Sequence, residues 1–238
     1  MAKYFCMRRC FTLALFLSGC LLAEDVPAAS EPTGFQWKPA LLQSGLFLGF
    51  QHGFRLGTEE ATRAELKGPF FRDWSRSVQN LRGWDDGDPF VVNYVGHPMM
   101  GAVAGYIAVQ NDPLYKRSTF GRNSHYWKSR LRALAFSAVY STQFELGPVS
   151  EASIGNVQLH PPENGVCDFV VTPTVGLGWQ IAEDALDRML VRRIESSTGN
   201  AWIRIIARGV LNPARSFANI LRWKAPWYRD DRGGVLGP

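Results

Sequence analysis

The chain has 238 residues, 46% of them hydrophobic and 13% aromatic, with a formal charge of +5 and a mean hydropathy of −0.12. That length suits one large domain or two small ones; with no internal repeat or long low-complexity linker, we read one. The hydropathy is low for a polytopic membrane protein. The charge drops from +5 to +2 if Lys3, Arg8 and Arg9 leave with a leader, which speaks against nucleic acid as a partner.

The first ten residues, MAKYFCMRRC, are basic, and FTLALFLSGCLLA is an apolar run too short to span a bilayer comfortably, so residues 1–19 are expected to be an export signal. Leu17-Ser18-Gly19-Cys20 resembles a bacterial lipobox, which implies cleavage before Cys20 and lipidation of Cys20. Leu21 stands where an aspartate would retain a lipoprotein at the inner membrane, so the periplasmic face of the outer membrane is the expected location. Ordinary cleavage after Ala23, giving a soluble periplasmic or secreted protein, is the alternative. Cys6 and Cys10 leave with the signal and Cys167 has no partner, so no disulfide framework is expected.

Residues 20–40 read as a tether, 41–232 as the helical domain and 233–238 as a flexible tail. From Leu41 to Leu66 a helix is expected, buried in its first half and polar in its second; His52, Arg55 and Glu59 share one of its faces, as a solvated ion pair beside a satisfied histidine or as part of a central polar site. A short amphipathic segment then leads to Asp85-Asp86-Gly87-Asp88. Its spacing is that of a turn and cap, not of a calcium loop.

Asp88-Pro89 reads as a helix start. Steps of four then place Asn93, His97, Gly101 and Gly105 on one face built for close approach by another helix, and Pro98 should break the regular bonding beside His97. From Tyr126 to Leu146 a second stripe carries Ala133, Ser137, Ser141 and Glu145. Antiparallel packing of these two helices would bring Glu145 to Asn93 and His97, and His97 is the expected partner of its carboxylate.

Pro173 suggests that the next long helix starts near Thr172, after Asp168. Gly176 and Gly178 should permit close packing, with Ile181, Ala185, Leu186, Met189 and Leu190 as the buried face opposite Asp184, Asp187, Arg188 and Arg192. Another helix is expected from Asn200 to Leu211, stopped by Asn212-Pro213. The tail interleaves Arg222, Lys224 and Arg229 with Trp223, Trp227 and Tyr228, which suits a membrane interface or folding back over the core. With no strand alternation, the fold class is mostly α: a compact, membrane-associated bundle of amphipathic and apolar helices.

The segment Asn93-Tyr94-Val95-Gly96-His97-Pro98-Met99-Met100-Gly101 resembles a family of bacterial envelope proteins with no assigned activity that carry Asn-x-x-x-His-Pro-x-x-Gly. The family continues with a Ser-rich helix ending in aromatic-Glu, matched by Ser137 through Phe144-Glu145, then a further Glu before Pro-Ser, matched by Glu151-Ala152-Ser153. Asp-x-x-x-Thr-Pro-x-x-Gly follows, matched by Asp168 through Gly176. Ala152 replaces the usual proline, and VQLHPPENGVC reads as an insertion. The resemblance implies an envelope location and supplies no chemistry.

Two functions follow. The first is a non-enzymatic, lipid-anchored envelope protein that binds an apolar ligand or a protein partner, with Asn93, His97, Glu145, Glu151, Asp168 and Thr172 as a polar network fixing helix register. The second is a hydrolase or transferase acting on lipid or a cell-wall precursor, with His97 and Glu145 as acid/base pair and Ser141 or Ser153 as nucleophile. No catalytic motif is present, and His52, His97, His125 and His160 lack metal-ligand spacing, so neither metal nor cofactor is expected.

Overall fold

The computed structural model describes residues 33–66, 69–155 and 165–236; the expected export signal of residues 1–19, Cys20 and His160 lie outside them. The described residues are helical, with no strand among them. The helices are α1 (Trp37–Thr58), α2 (Glu60–Glu65), α3 (Phe70–Gln79), α4 (His97–Gln110), α5 (Ser124–Leu146), α6 (Cys167–Leu186), α7 (Arg192–Ser197), α8 (Ala201–Val210) and α9 (Pro213–Leu221). The core is a three-helix packing of α4, α5 and α6, with α9 against α4.

The crossing of α4 and α6 is set by two glycines. A Cβ at Gly101 would lie 1.8 Å from the Thr172 carbonyl oxygen, and one at Gly176 would lie 2.9 Å from Gly101 Cα, so the backbones meet where no side chain fits. The pairs His97 with Asp168, Gly101 with Thr172 and Gly105 with Gln180 show that the helices run parallel, each carrying a polar-x-x-x-polar-Pro-x-x-Gly pattern. The sequence put α5 at this glycine face. Helix α5 does run antiparallel beside α4, with Ser137 Oγ donating to Gly101 O at 3.0 Å, but α6 makes the closest approach. Gly178 meets nothing within 4 Å, contrary to expectation.

Both prolines are accommodated within continuous helical chain. Upstream of Pro98 the chain forms a π-helical turn, Val92–Gly96, in which the His97 N–H reaches back to Val92 O. The expected break at Pro98 takes this form, since an inserted residue re-registers the ladder where proline removes a donor. Pro173 sits inside α6, which begins at Cys167 and not near Thr172. The first N–H of that helix bonds Trp84 O at 3.1 Å, so the loop at Gly83–Trp84 extends the helix start.

Several boundaries and faces depart from expectation. Helix α1 begins at Trp37, inside the expected tether, and breaks at Glu59 instead of running to Leu66. Its first half is not buried: Trp37, Leu41, Leu42, Leu46, Phe50 and Phe54 are exposed, while Ala40, Gln43 and Phe47 face inward. Two amide bonds between Gln43 and Asn111 (3.3 and 2.8 Å) tie this helix to the end of α4.

The largest reversal lies in α6 and the π-helical turn Asp187–Val191 that follows. Asp184 is 2% exposed and Met189 63%, so the acidic face points inward and the apolar face outward. Helix α8 repeats this, burying Arg208 while exposing Trp202, Ile203, Ile206 and Val210. Residues 213–221, read as part of the tail, form α9. The chain after it folds back: Asn219 Nδ2 donates to Pro226 O (2.9 Å) and Tyr228 O (3.0 Å), Arg229 is buried, and Val235 packs inside the expected flexible end. Among the described residues, no helix is long and apolar enough to cross a membrane.

Candidate functional site

The buried polar group forms where the start of α4, the end of α5 and the start of α6 meet. His97 enters from the first residue of α4, just after the π-helical turn, Glu145 from the last turn of α5 and Asp168 from the first turn of α6. His97 Nδ1 lies 4.0 Å from Glu145 Oε1, and Nε2 lies 3.5 Å from Asp168 Oδ2; the three side chains are 4%, 5% and 6% exposed. The expected His97–Glu145 hydrogen bond is not formed. Among the described residues, both Nδ1 and Oε1 are buried without a hydrogen-bond partner, as are Asn93 Oδ1 and the Thr172 hydroxyl.

Asp86 completes the group from the turn. Two aspartates of that turn bond locally, as a turn should: Asp85 accepts from Gly87 N and Asp86 from Asp88 N, both at 3.1 Å. Asp86 also accepts from Asn93 Nδ2 (2.6 Å) and Cys167 Sγ (3.1 Å). Glu151, from the π-helical turn Glu151–Gly155, pairs with Arg55, which also bonds Glu59 at 2.7 Å. The Arg55–Glu59 pair is therefore not simply solvated. His52 stacks on Phe144 with ring centroids 5.1 Å apart and stands outside the group.

Burial and negative neighbours decide the protonation states. Burial, then the hydrogen bond and charge of Asp86 and the charge of Glu151, push Asp168 up to about 9. Burial, reinforced by Glu151, Asp168 and Asp86, raises Glu145 well above the carboxylate range. Burial lowers His97 despite the acids around it. For Asp86 burial acts upward, but hydrogen bonds from Asp168, Asn93, Cys167 and the Asp88 N–H outweigh it and keep the group ionised. At neutral pH the site thus favours a neutral imidazole and a protonated Asp168 beside the Asp86 carboxylate, and burial works against a His97–Glu145 ion pair.

The candidate nucleophiles are engaged elsewhere. Ser141 Oγ donates to Asp168 O at 3.1 Å, and Ser153 Oγ donates to Ser150 O at 3.1 Å while accepting from Ser150 N at 2.8 Å.

A second buried polar group, absent from the sequence reading, lies at the other end of α6. Asp184 accepts from Tyr106 OH (3.1 Å), Tyr126 OH (2.8 Å), Arg130 Nε (2.7 Å) and Arg215. Asp187 accepts from Arg229 (3.0 Å) and Arg232 (2.7 and 2.9 Å). Glu183 caps the start of α9 by accepting from Ala214 N (2.8 Å) and Arg215 N (3.1 Å). Its only sequence signal was an excess of arginine in the last third of the chain.

An apolar groove of about 470 Å³ opens between α1, α4 and α5, walled by Trp37, Leu41, Ala108, Phe136 and Val139. Comparison of the chain with models of known protein families, with curated proteins and with solved structures gave no match.

Proposed function

We propose that the chain is an exported envelope protein with a structural or ligand-binding role, held at the periplasmic face of the outer membrane by a lipid on Cys20 and by its own apolar surface. The reversed amphipathicity of α6 to α8 carries this reading: acids and arginines are buried where Leu186, Met189, Trp202, Ile206 and Val210 face outward. In water, apolar surface of this kind is unfavourable by roughly 25 cal/mol per Å², and a bilayer removes that penalty. Trp223, exposed at the end of α9, adds an interfacial aromatic; Arg222 and Arg229, by contrast, are engaged with Asp230 and Asp187 and contribute little free charge to lipid headgroups. The groove beside α1 has the volume and lining of a site for an acyl chain or similar apolar ligand.

The alternative, a hydrolase or transferase using His97 and Glu145, draws support from the unpartnered atoms of that pair. Both candidate serines donate to backbone carbonyls, however, so the ligand-binding reading is the stronger.

Membrane fractionation of the full chain tests the proposal. Cys20→Ser should weaken attachment, and adding Trp202→Ser, Ile206→Ser and Val210→Ser should release the rest. If the wild-type chain fractionates as a soluble protein, or the combined variant stays bound, the proposal fails.

A further inference from the structure

We propose that His97, Glu145 and Asp168 form a site for a divalent transition-metal ion of the zinc or manganese class. One donor atom from each lies within 4.8 Å of the others, drawn from three helices and sealed from solvent. Zinc holds nitrogen and oxygen donors at about 2.0–2.2 Å, which places neighbouring donors roughly 3–4 Å apart. The 4.0 Å from Nδ1 to Glu145 and the 3.5 Å from Nε2 to Asp168 are too long for good hydrogen bonds. An ion takes one of the two ring nitrogens, and with one donor atom per residue the three lie within 4.8 Å, so the carboxylates draw in slightly to meet that spacing.

The independent observation is the pair of orphans. His97 Nδ1 and Glu145 Oε1 are buried, point into the group and have no partner among the described residues, a state that native interiors avoid unless something else satisfies the atoms. In the Asp184 group, by contrast, both carboxylate oxygens accept hydrogen bonds, and the atoms beside them without a partner among the described residues are donors, Arg215 Nε and Gln180 Nε2. The surroundings also suit an ion: Asn93 fixes Asp86, Ser141 fixes the backbone of Asp168, and Asp86 with Cys167 meets Asp168 in a second donor group within 4.8 Å. Of the acids Asp86, Glu145, Glu151 and Asp168, Glu151 pairs with a guanidinium, that of Arg55, which is shared with Glu59; a dication would supply positive charge to the rest. Imidazole with carboxylates selects zinc or manganese over calcium, which takes six to eight oxygens. Because the acids hold protons when the ion is absent, loading must release them.

The test is calorimetric titration of the untagged full chain, stripped of metal by chelation, with Zn²⁺ and separately with Mn²⁺. One ion per chain, with a rise in thermal midpoint, is expected for at least one metal. Glu145→Gln and Asp168→Asn keep the shape of the site and should each weaken binding by about tenfold or more; the exposed Glu60→Gln should leave it unchanged. Helix content by circular dichroism identifies any variant that fails to fold, and the two isosteric variants decide the matter if His97→Ala does. Absence of binding by both metals, or binding that survives Glu145→Gln and Asp168→Asn, overturns the proposal.

Discussion

The two ends of α6 carry buried polar groups of opposite character. Around Asp184 and Asp187, arginines match acids and each carboxylate accepts several bonds, so removal of water is repaid by near-complete pairing. Around Asp168, acids outnumber bases, protons replace partners, and His97 and Glu145 are left with unsatisfied atoms. Similar burial with different saturation separates an element that holds the fold from one kept despite its cost to the fold.

Substitutions sharpen that contrast, beginning with the largest effect. Asp184→Asn leaves Arg130 and Arg215 buried without their counter-charge and should destabilise by about 3–5 kcal/mol in urea unfolding. A loss below about 1 kcal/mol would show that the group is not a structural anchor. Gly101→Ala puts a methyl into the Thr172 carbonyl and should cost at least the upper end of the roughly 1–3 kcal/mol of an overpacked core, whereas Gly178→Ala, in open space, should stabilise by up to about 1 kcal/mol. Equal effects would mean that the two backbones do not meet at Gly101.

Acidity pulls the two groups in opposite directions. Asp168, raised to about 9, contributes stability that is complete below its unfolded value near 4 and is lost as pH rises toward 9. For Asp187, burial acts upward, but Arg232, Arg215 and Arg229 prevail and hold it far below the usual range; its contribution is present above pH 4 and lost below it. In chelator, Asp168 alone should raise the unfolding free energy by about 1.4 kcal/mol per pH unit, or about 4 kcal/mol from pH 8 to pH 5, less an opposing contribution from His97, whose value is lowered. Stability should fall again below pH 4, and Asp168→Asn should flatten the first limb. A wild-type profile flat between pH 5 and 8 would contradict the protonated state of Asp168. Glu145→Gln, which mimics the neutral acid, should change metal-free stability by less than about 1 kcal/mol; a larger loss would mean that Glu145 is ionised and paired.

Local pattern made one half of this legible. Steps of four identified the faces Asn93–His97–Gly101–Gly105 and Ala133–Ser137–Ser141–Glu145, because helical geometry alone decides which residues share a side. Asp168 and Thr172 entered through a resemblance of motif, and the structure sets them on the same packing seam. Period does not say which side faces inward. For residues 181–190 the usual rule, apolar inward, gave the wrong side, since Asp184 and Asp187 find Arg130, Arg215, Arg229 and Arg232 from segments distant in sequence. Pro173 misled for a related reason: the loop at Gly83–Trp84 receives the start of α6, a contact that no local window contains. The His97 group was approached through pairwise spacing, which found the histidine and Glu145 but not the convergence of Asp86 and Cys167.

The most direct test of the division between the two groups is thermal unfolding of Asp168→Asn and Asp184→Asn side by side, without metal, at neutral pH. Asp184→Asn should lower the midpoint by roughly 6–20 °C, at about 2–4 °C per kcal/mol for a chain of this size, and Asp168→Asn should leave it unchanged or raise it. A fall in Asp168→Asn as large as that in Asp184→Asn would make both groups structural and contradict the account.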